Sequence, residues 1–318
     1  MFLILEYKRE ISAVALDKEQ KKELATLRKL YSSNNWIEIN QAISQIMVND
    51  HIELIELLSE GISFDIFNRV KLSSSSEIHS KVKLAWRVQF ALFILRKSGL
   101  IDNITELDIS YQKEMLSLDW LYGPNALETL TIEYAFNLKN IEPLSSLNKI
   151  RKIRLYCCKS IKDIEPLGAC KNLETLGIEA SPLIKNIEAI SNLKNLKRLN
   201  LSNCNSIADI SPIANLKKIN GLSLCGLKEV TDLSPLSNLK NITSLSISEM
   251  PLINSLAPLT KLNNLAVLDI TGCSNINDLK ILKKNTSLKI ISYGRNSFPT
   301  SDFDFLKKFI PSCTFSRY

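Results

Sequence analysis

Between residues 133 and 200 the sequence sets Glu133, Tyr134, Lys152, Arg154, Tyr156, Glu179, Arg198 and Asn200 at spacings close to one common interval. Tyrosine and arginine supply many of the strong contacts at surfaces that bind proteins, and neighbouring charges add complementarity. That mixture suits recognition of a partner better than acid–base or nucleophilic chemistry. His51 and His79 are the only two histidines among 318 residues, and neither has a partner close in sequence. Most histidine-dependent catalysis and most histidine-based metal sites are thereby removed. No Walker loop, G-x-G-x-x-G, H-E-x-x-H, G-x-S-x-G or C-x-x-C occurs, and Cys157 and Cys158 are adjacent. No catalytic residue, no metal and no cofactor are therefore expected, and the chain reads as a non-enzyme.

The elements that position these residues form a repeat. Apolar residues stand at Ile104, Leu127, Ile150, Leu173, Leu196, Ile219, Ile242, Leu265 and Leu288, each 23 residues after the last, through nine units without insertion or deletion. A second column begins Leu107, Leu130, Ile153, and a third begins Ile109, Ile132, Leu155. The run L-x-x-L-x-L ends in period-2 alternation, which predicts a short strand with its leucines turned inward. One such unit cannot bury its apolar side alone, so stability must come from stacking of neighbours. Pro143, Pro166, Pro212, Pro235 and Pro258 share another column. Proline suits the first turn of a helix, where its missing N–H costs nothing. Few residues then remain before the next strand, so the outer arm should be one helical turn or a 3₁₀ segment.

The pattern L-x-x-L-x-L-x-x-(C/N)-x-x-I-x-D-I-x-P-L-x-x-L, across about residues 103–294, resembles the leucine-rich repeat of the short bacterial internalin-like type. The resemblance implies an α/β solenoid: a right-handed superhelix with a parallel sheet on its concave face and short convex segments. It also implies use of the concave face to bind another protein. Fold alone does not name that protein. The family's Asn/Cys column here reads Gln112, Ala135, Cys158, Ser181, Cys204, Leu227, Met250, Cys273 and Asn296. Half of these cannot make the usual side-chain bonds to backbone, so the loop after each strand is expected to be uneven. Cys158 and Cys204 lie two units apart, at roughly 10 Å for stacked strands, beyond the reach of a disulfide. Buried, reduced thiols are the simpler reading.

The ends lack the period. Residues 1–100 pattern as helices, over Asp17–Tyr31, Trp36–Val48, Asp50–Leu58 and Ser80–Ser98, with Lys71–Ser76 as a polar linker. They read as an α-helical N-terminal domain or cap, residues 101–298 as the repeats, and residues 299–318 as a C-terminal cap. In that cap, Phe303–Ile310 should form a short helix and Pro311–Phe315 one more strand.

The net charge of +7 is mild, and it is spread: residues 1–100 carry 14 basic and 12 acidic residues, the remainder 26 and 21. This argues against a nucleic-acid partner, which favours a concentrated basic face. Neither a Sec signal nor an apolar run of membrane-spanning length is present, so no membrane insertion is expected. Seven cysteines without framework spacing fit a reducing cytoplasm. A monomer is expected.

On the strand face, units two to five hold Glu133, Tyr134, Lys152, Arg154, Tyr156, Glu179, Arg198 and Asn200, whereas later units hold mostly Ser and Gly. The leading expectation is a protein–protein interaction scaffold that binds through this N-terminal half. The alternative is a bacterial effector or a defence or immunity protein, active through its helical N-terminal domain, with the repeats recognising the target. In that case the chain could be exported without a Sec signal peptide. The column Glu128, Arg151, Glu174, Lys197 alternates in sign and could serve structure alone.

Overall fold

The computed structural model describes residues 104–110, 115–122, 126–294 and 298–317, and within residues 1–103 six helical positions between Lys18 and Lys29 and two strands. The chain divides into two compact units, Met1–Ile104 and Thr105–Tyr318.

In the first unit, Lys18, Lys21, Lys22, Ala25, Thr26 and Lys29 are helical and exposed, within the helix expected over 17–31. The strands β1 (Ile62–Phe64) and β2 (Val70–Leu72) pair antiparallel, with Ser63 opposite Lys71. Both strands fall between the expected helices, and β2 takes in Lys71 and Leu72 at the start of the expected polar linker. Each strand alternates apolar and polar residues. The expected helices over 36–48, 50–58 and 80–98 lie outside the described residues.

The second unit is a stack. Its strands are β3 (Glu106–Ser110), β4 (Thr129–Glu133), β5 (Lys152–Tyr156), β6 (Thr175–Glu179), β7 (Arg198–Asn200), β8 (Gly221–Ser223), β9 (Ser244–Ser246), β10 (Val267–Asp269), β11 (Ile290–Tyr293) and β12 (Thr314–Arg317). Each pairs in parallel with the next in chain order. From β3 to β11 every pairing joins residues 23 apart, such as Leu130 to Ile153 and Leu176 to Leu199. A period held without insertion becomes a fixed register, so every inward column stays inward.

The opposite side carries one 3₁₀ segment per turn. Those after the first are Glu142–Ser146, Glu165–Ala169, Glu188–Asn192, Ser211–Asn215, Ser234–Asn238, Ala257–Lys261 and Lys280–Lys284. Each is entered through a side-chain cap on the backbone N–H two residues ahead. Asp163 Oδ1 accepts from Glu165 at 2.8 Å, and Asp209 and Asp232 accept from Ser211 and Ser234 at 2.7 Å. These caps satisfy donors that the short helical turn leaves unpaired. Between the two layers the leucine and isoleucine columns are almost wholly buried.

The second unit ends with the helix Thr300–Lys307 and β12, which place Phe303 against Tyr293 and Phe315 against Phe303. Ring centroids there are 4.9 Å (Tyr293–Phe303) and 5.0 Å (Phe303–Phe315) apart.

The loops after the strands are even, contrary to expectation. Tyr134, Cys157, Ala180, Asn203, Gly226, Glu249 and Gly272 all lie in the left-handed region, with φ between 51° and 75°. In the six turns from Tyr134 to Glu249 the N–H of this residue bonds to the next turn, as from Tyr134 to Tyr156 O at 2.8 Å and from Glu249 to Thr271 O at 2.7 Å. The backbone ladder runs through these six turns whatever stands in the Asn/Cys column. Where a thiol stands there it adds a bond, from Cys204 to Ile178 O at 3.2 Å and from Cys273 to Ile247 O at 2.9 Å. All seven cysteines are free thiols. Burial pushes Cys158 up to about 12 and Cys204 and Cys273 up to about 11, so these sulfurs are protonated packing groups rather than nucleophiles.

Candidate recognition surface

Successive strand residues point to opposite faces, so Lys152, Arg154 and Tyr156 of β5 share the open face of the sheet. Arg154 stands at the centre. Its neighbour across β6 is Gly177, and Tyr156 is opposite Glu133 on one side and Glu179 on the other. The guanidinium reaches diagonally to both carboxylates: Nη1 pairs with Glu133 Oε1, and Nε donates to Glu179 Oε1 at 3.2 Å. Partial burial opposes its charge, but the hydrogen bond and charge of Glu179, together with Glu133, raise the guanidinium above its ordinary range. Gly177 makes the reach possible. A Cβ there would stand 3.3 Å from Glu179 Oε1 and 3.7 Å from Arg154 Cγ, so a longer side chain would enter the ion pair.

Two tyrosines extend this group. The Tyr134 and Tyr156 rings meet edge to face, with centroids 5.2 Å apart and planes at 88°. The Arg154 guanidinium lies 5.2 Å from the Tyr156 centroid. A hydrogen bond with Tyr134, followed by the nearby Cys157, raises the Tyr156 phenol to about 12. Tyr134 also packs edge-on against Phe136, and Lys159 stands over that ring at 5.1 Å. Phe136 and Lys159 are additions that the strand columns did not pick out. Their signal was available, because they too are one period apart.

The remaining three sequence candidates lie beside this cluster, Lys152 on β5 itself and Arg198 and Asn200 on β7. Lys152, Arg198 and Asn200 line a depression of about 310 Å³ together with Arg154 and Glu179, over a floor that includes Gly177 and Gly221. Asn200 is engaged locally. Its Oδ1 accepts from Ser202 N at 3.0 Å and from Ser202 Oγ at 2.5 Å, an Asx-type turn that directs the N–H of residue 202 away from the ladder. The eight candidates therefore separate into an ion-paired aromatic cluster around Arg154 and a groove beside it. Gly177 and Gly221 each follow an arginine by one period.

The alternating column lies on the rim, along a second depression of about 520 Å³. Glu174 bridges Arg151 Nη2 and Lys197 Nζ, each at 2.6 Å. Hydrogen bonds from Lys197 and then Arg151 hold its carboxyl down at about 2.

Among the described residues, no group of three or more His, Cys, Asp or Glu side chains could hold a metal ion. His51 and His79 lie outside the described residues. No described helix is long and apolar enough to cross a membrane. The arrangement on the open face holds charges and rings in place.

An in-register parallel sheet backed by one 3₁₀ segment per 23 residues defines a leucine-rich repeat fold, and solved structures carry the same architecture. An internalin of Listeria monocytogenes superposes with a TM-score of 0.58 at 22% identity, covering 72% of this chain and 67% of that one. Internalin C2 of Listeria monocytogenes gives 0.51 at 26% identity, over 61% of this chain and 83% of that one. The leucine-rich repeat domain of the type III effector XopL gives 0.52 at 14% identity, over 96% and 97%. Neither a protein-family model nor a curated protein matches the sequence.

Proposed function

We propose that this chain is a non-enzymatic scaffold that binds another protein on the concave face of its repeat sheet. Glu133, Tyr134, Lys152, Arg154, Tyr156, Glu179, Arg198 and Asn200 form the contact surface. One observation carries the reading. Arg154 is held between two carboxylates and against Tyr156, so large contact groups are fixed before any partner arrives. Groups ordered in advance lose little freedom on binding, and Tyr and Arg are the residue types that dominate binding energy. In this reading residues 1–100 are a helical domain or cap, 101–298 the recognition module and 299–318 a closing cap. The protein acts as a cytoplasmic monomer.

The test is affinity capture from the source cells with wild type beside an Arg154→Ala/Tyr156→Ala double variant. A protein held by wild type and bound at least about thirtyfold more weakly by the double variant is the expected result, for the loss of about 2 kcal/mol at a hot spot. Equal capture by both would overturn the assignment of this face.

A second reading is supported by the likeness, over nearly the whole length of both chains, to the repeat domain of a type III effector. Here the chain is an effector or a defence protein, exported without a Sec signal or acting at home, with residues 1–100 as its active part. A cellular target that the full chain engages equally well with and without the Arg154 and Tyr156 side chains would favour it.

A further inference from the structure

Three cations face the sheet side of units three to five, and they differ in one respect. Arg154 is engaged by Glu133 and Glu179. Lys152 and Arg198 are exposed, and neither has an ion-pair partner among the described residues. Both line the groove of about 310 Å³, and the one carboxylate lining it, Glu179, is already bound to Arg154. The groove therefore holds two unanswered positive charges.

Their placement is regular. Lys152 is paired with Thr175, and Thr175 with Arg198, so the two cations occupy the same column two strands apart. Parallel strands lie about 4.8 Å apart, which separates the two backbone positions by roughly 10 Å. The floor between and beyond them is low. Gly177 is buried, and a Cβ on Gly221 would meet only Arg198 Cγ, at 3.6 Å. The hydroxyls of Thr175, Ser223 and Ser244 line the same groove. An extended peptide in the polyproline II form has three residues per turn and advances about 3.1 Å per residue, so residues three apart lie on one side of it, roughly 9 Å apart.

We propose that this groove binds an extended acidic peptide of the partner, seating two carboxylate side chains three residues apart, one on Lys152 and one on Arg198. The proposal rests on the concave-face reading and adds the partner's chemistry. Two separated cations match two separated carboxylates. A single phosphate, about 3 Å across its oxygens and best held by a convergent cluster of donors, would leave one cation unused.

The experiment uses the full chain and a labelled Ser/Gly/Thr dodecapeptide with two glutamates three residues apart, followed by fluorescence anisotropy. Companion peptides carry glutamine at both positions, glutamates at adjacent positions, or a single phosphoserine. Expected is binding of the Glu-x-x-Glu peptide that weakens with salt and is about tenfold weaker in Lys152→Ala/Arg198→Ala, the loss of two exposed ion pairs of up to about 1 kcal/mol each. A Lys185→Ala/Lys228→Ala variant, which removes the same charge from exposed loop positions outside the groove, should bind as wild type does. Gly221→Val should block binding sterically with an unchanged melting temperature, which separates a filled groove from a damaged fold.

Equal binding of the glutamine peptide, equal loss in the Lys185/Lys228 variant, or tighter binding of the phosphoserine peptide or of a single-stranded oligonucleotide would overturn the proposal. A partner that Lys152→Ala/Arg198→Ala still captures, but Arg154→Ala/Tyr156→Ala does not, would overturn the acidic-peptide groove and leave the scaffold reading standing.

Discussion

Strands β4 to β6 and strands β8 to β10 bury equivalent residues: Leu130, Ile153 and Leu176 in the first set, Leu222, Leu245 and Leu268 in the second. On the open face they diverge. The first set presents Glu133, Arg154, Tyr156 and Glu179, fixed by ion pairs and ring contacts. The second presents small hydroxyls tied to one another, with Ser246 3.0 Å from Ser248 and donating to Asp269 at 3.2 Å. The turn residues diverge as well. Tyr134, Cys157 and Ala180 carry side chains through left-handed backbone, whereas Gly226 and Gly272 relieve that position in two of the later turns. A stacked repeat thus keeps its interior constant, because each turn must fit its neighbours, while the outward columns answer to no such constraint.

If the two sets share one core, equivalent cavities should cost the same. Ile178→Ala and Ile247→Ala, in one column and both wholly buried, should each destabilise by about 2–5 kcal/mol in urea unfolding. Costs that differ by more than the additive error would break the comparison and show the halves to be packed differently.

The turn residues sharpen it at a smaller scale. Gly272 has φ +75°, and a Cβ there would meet the Glu249 carboxylate, so Gly272→Ala should lower stability by about 1–2 kcal/mol. Ala180 has φ 51°. Ala180→Gly should raise stability by about 0.5–1 kcal/mol, since relief of left-handed strain exceeds the added freedom of the unfolded chain. Thermal melting of the pair checks both signs.

The smallest effect concerns the rim. Glu174 titrates near 2 in the folded chain, against an ordinary 4.5. A depressed carboxyl contributes stability above its unfolded pKa and loses it as pH falls through the folded value. The fall in melting temperature between pH 4.5 and pH 2 should therefore be shallower in Glu174→Gln than in wild type. Identical slopes would show that the Arg151–Glu174–Lys197 bridge carries no folding energy.

Residues that repeat were legible in advance. Strand positions, buried columns and proline-led 3₁₀ arms all follow from a period of 23 held without slippage. The hairpin of Ile62–Phe64 and Val70–Leu72 was not, because two three-residue alternations are too short to stand out against surrounding helical patterning. The even loops were missed for another reason. The side chains of the Asn/Cys column do not decide the loop, because backbone N–H groups of a different column hold the turn.

For the candidate surface, the sequence by itself determined which side chains share a face, since a fixed period and a strand's two-residue alternation leave no freedom in that assignment. Only the tertiary structure decided which charges answer one another. Arg154 turns diagonally to Glu133 and Glu179 across a glycine, and Lys152 and Arg198 are left open beside it. Long side chains choose among several staggered rotamers, and that choice depends on what the adjacent strands place within reach.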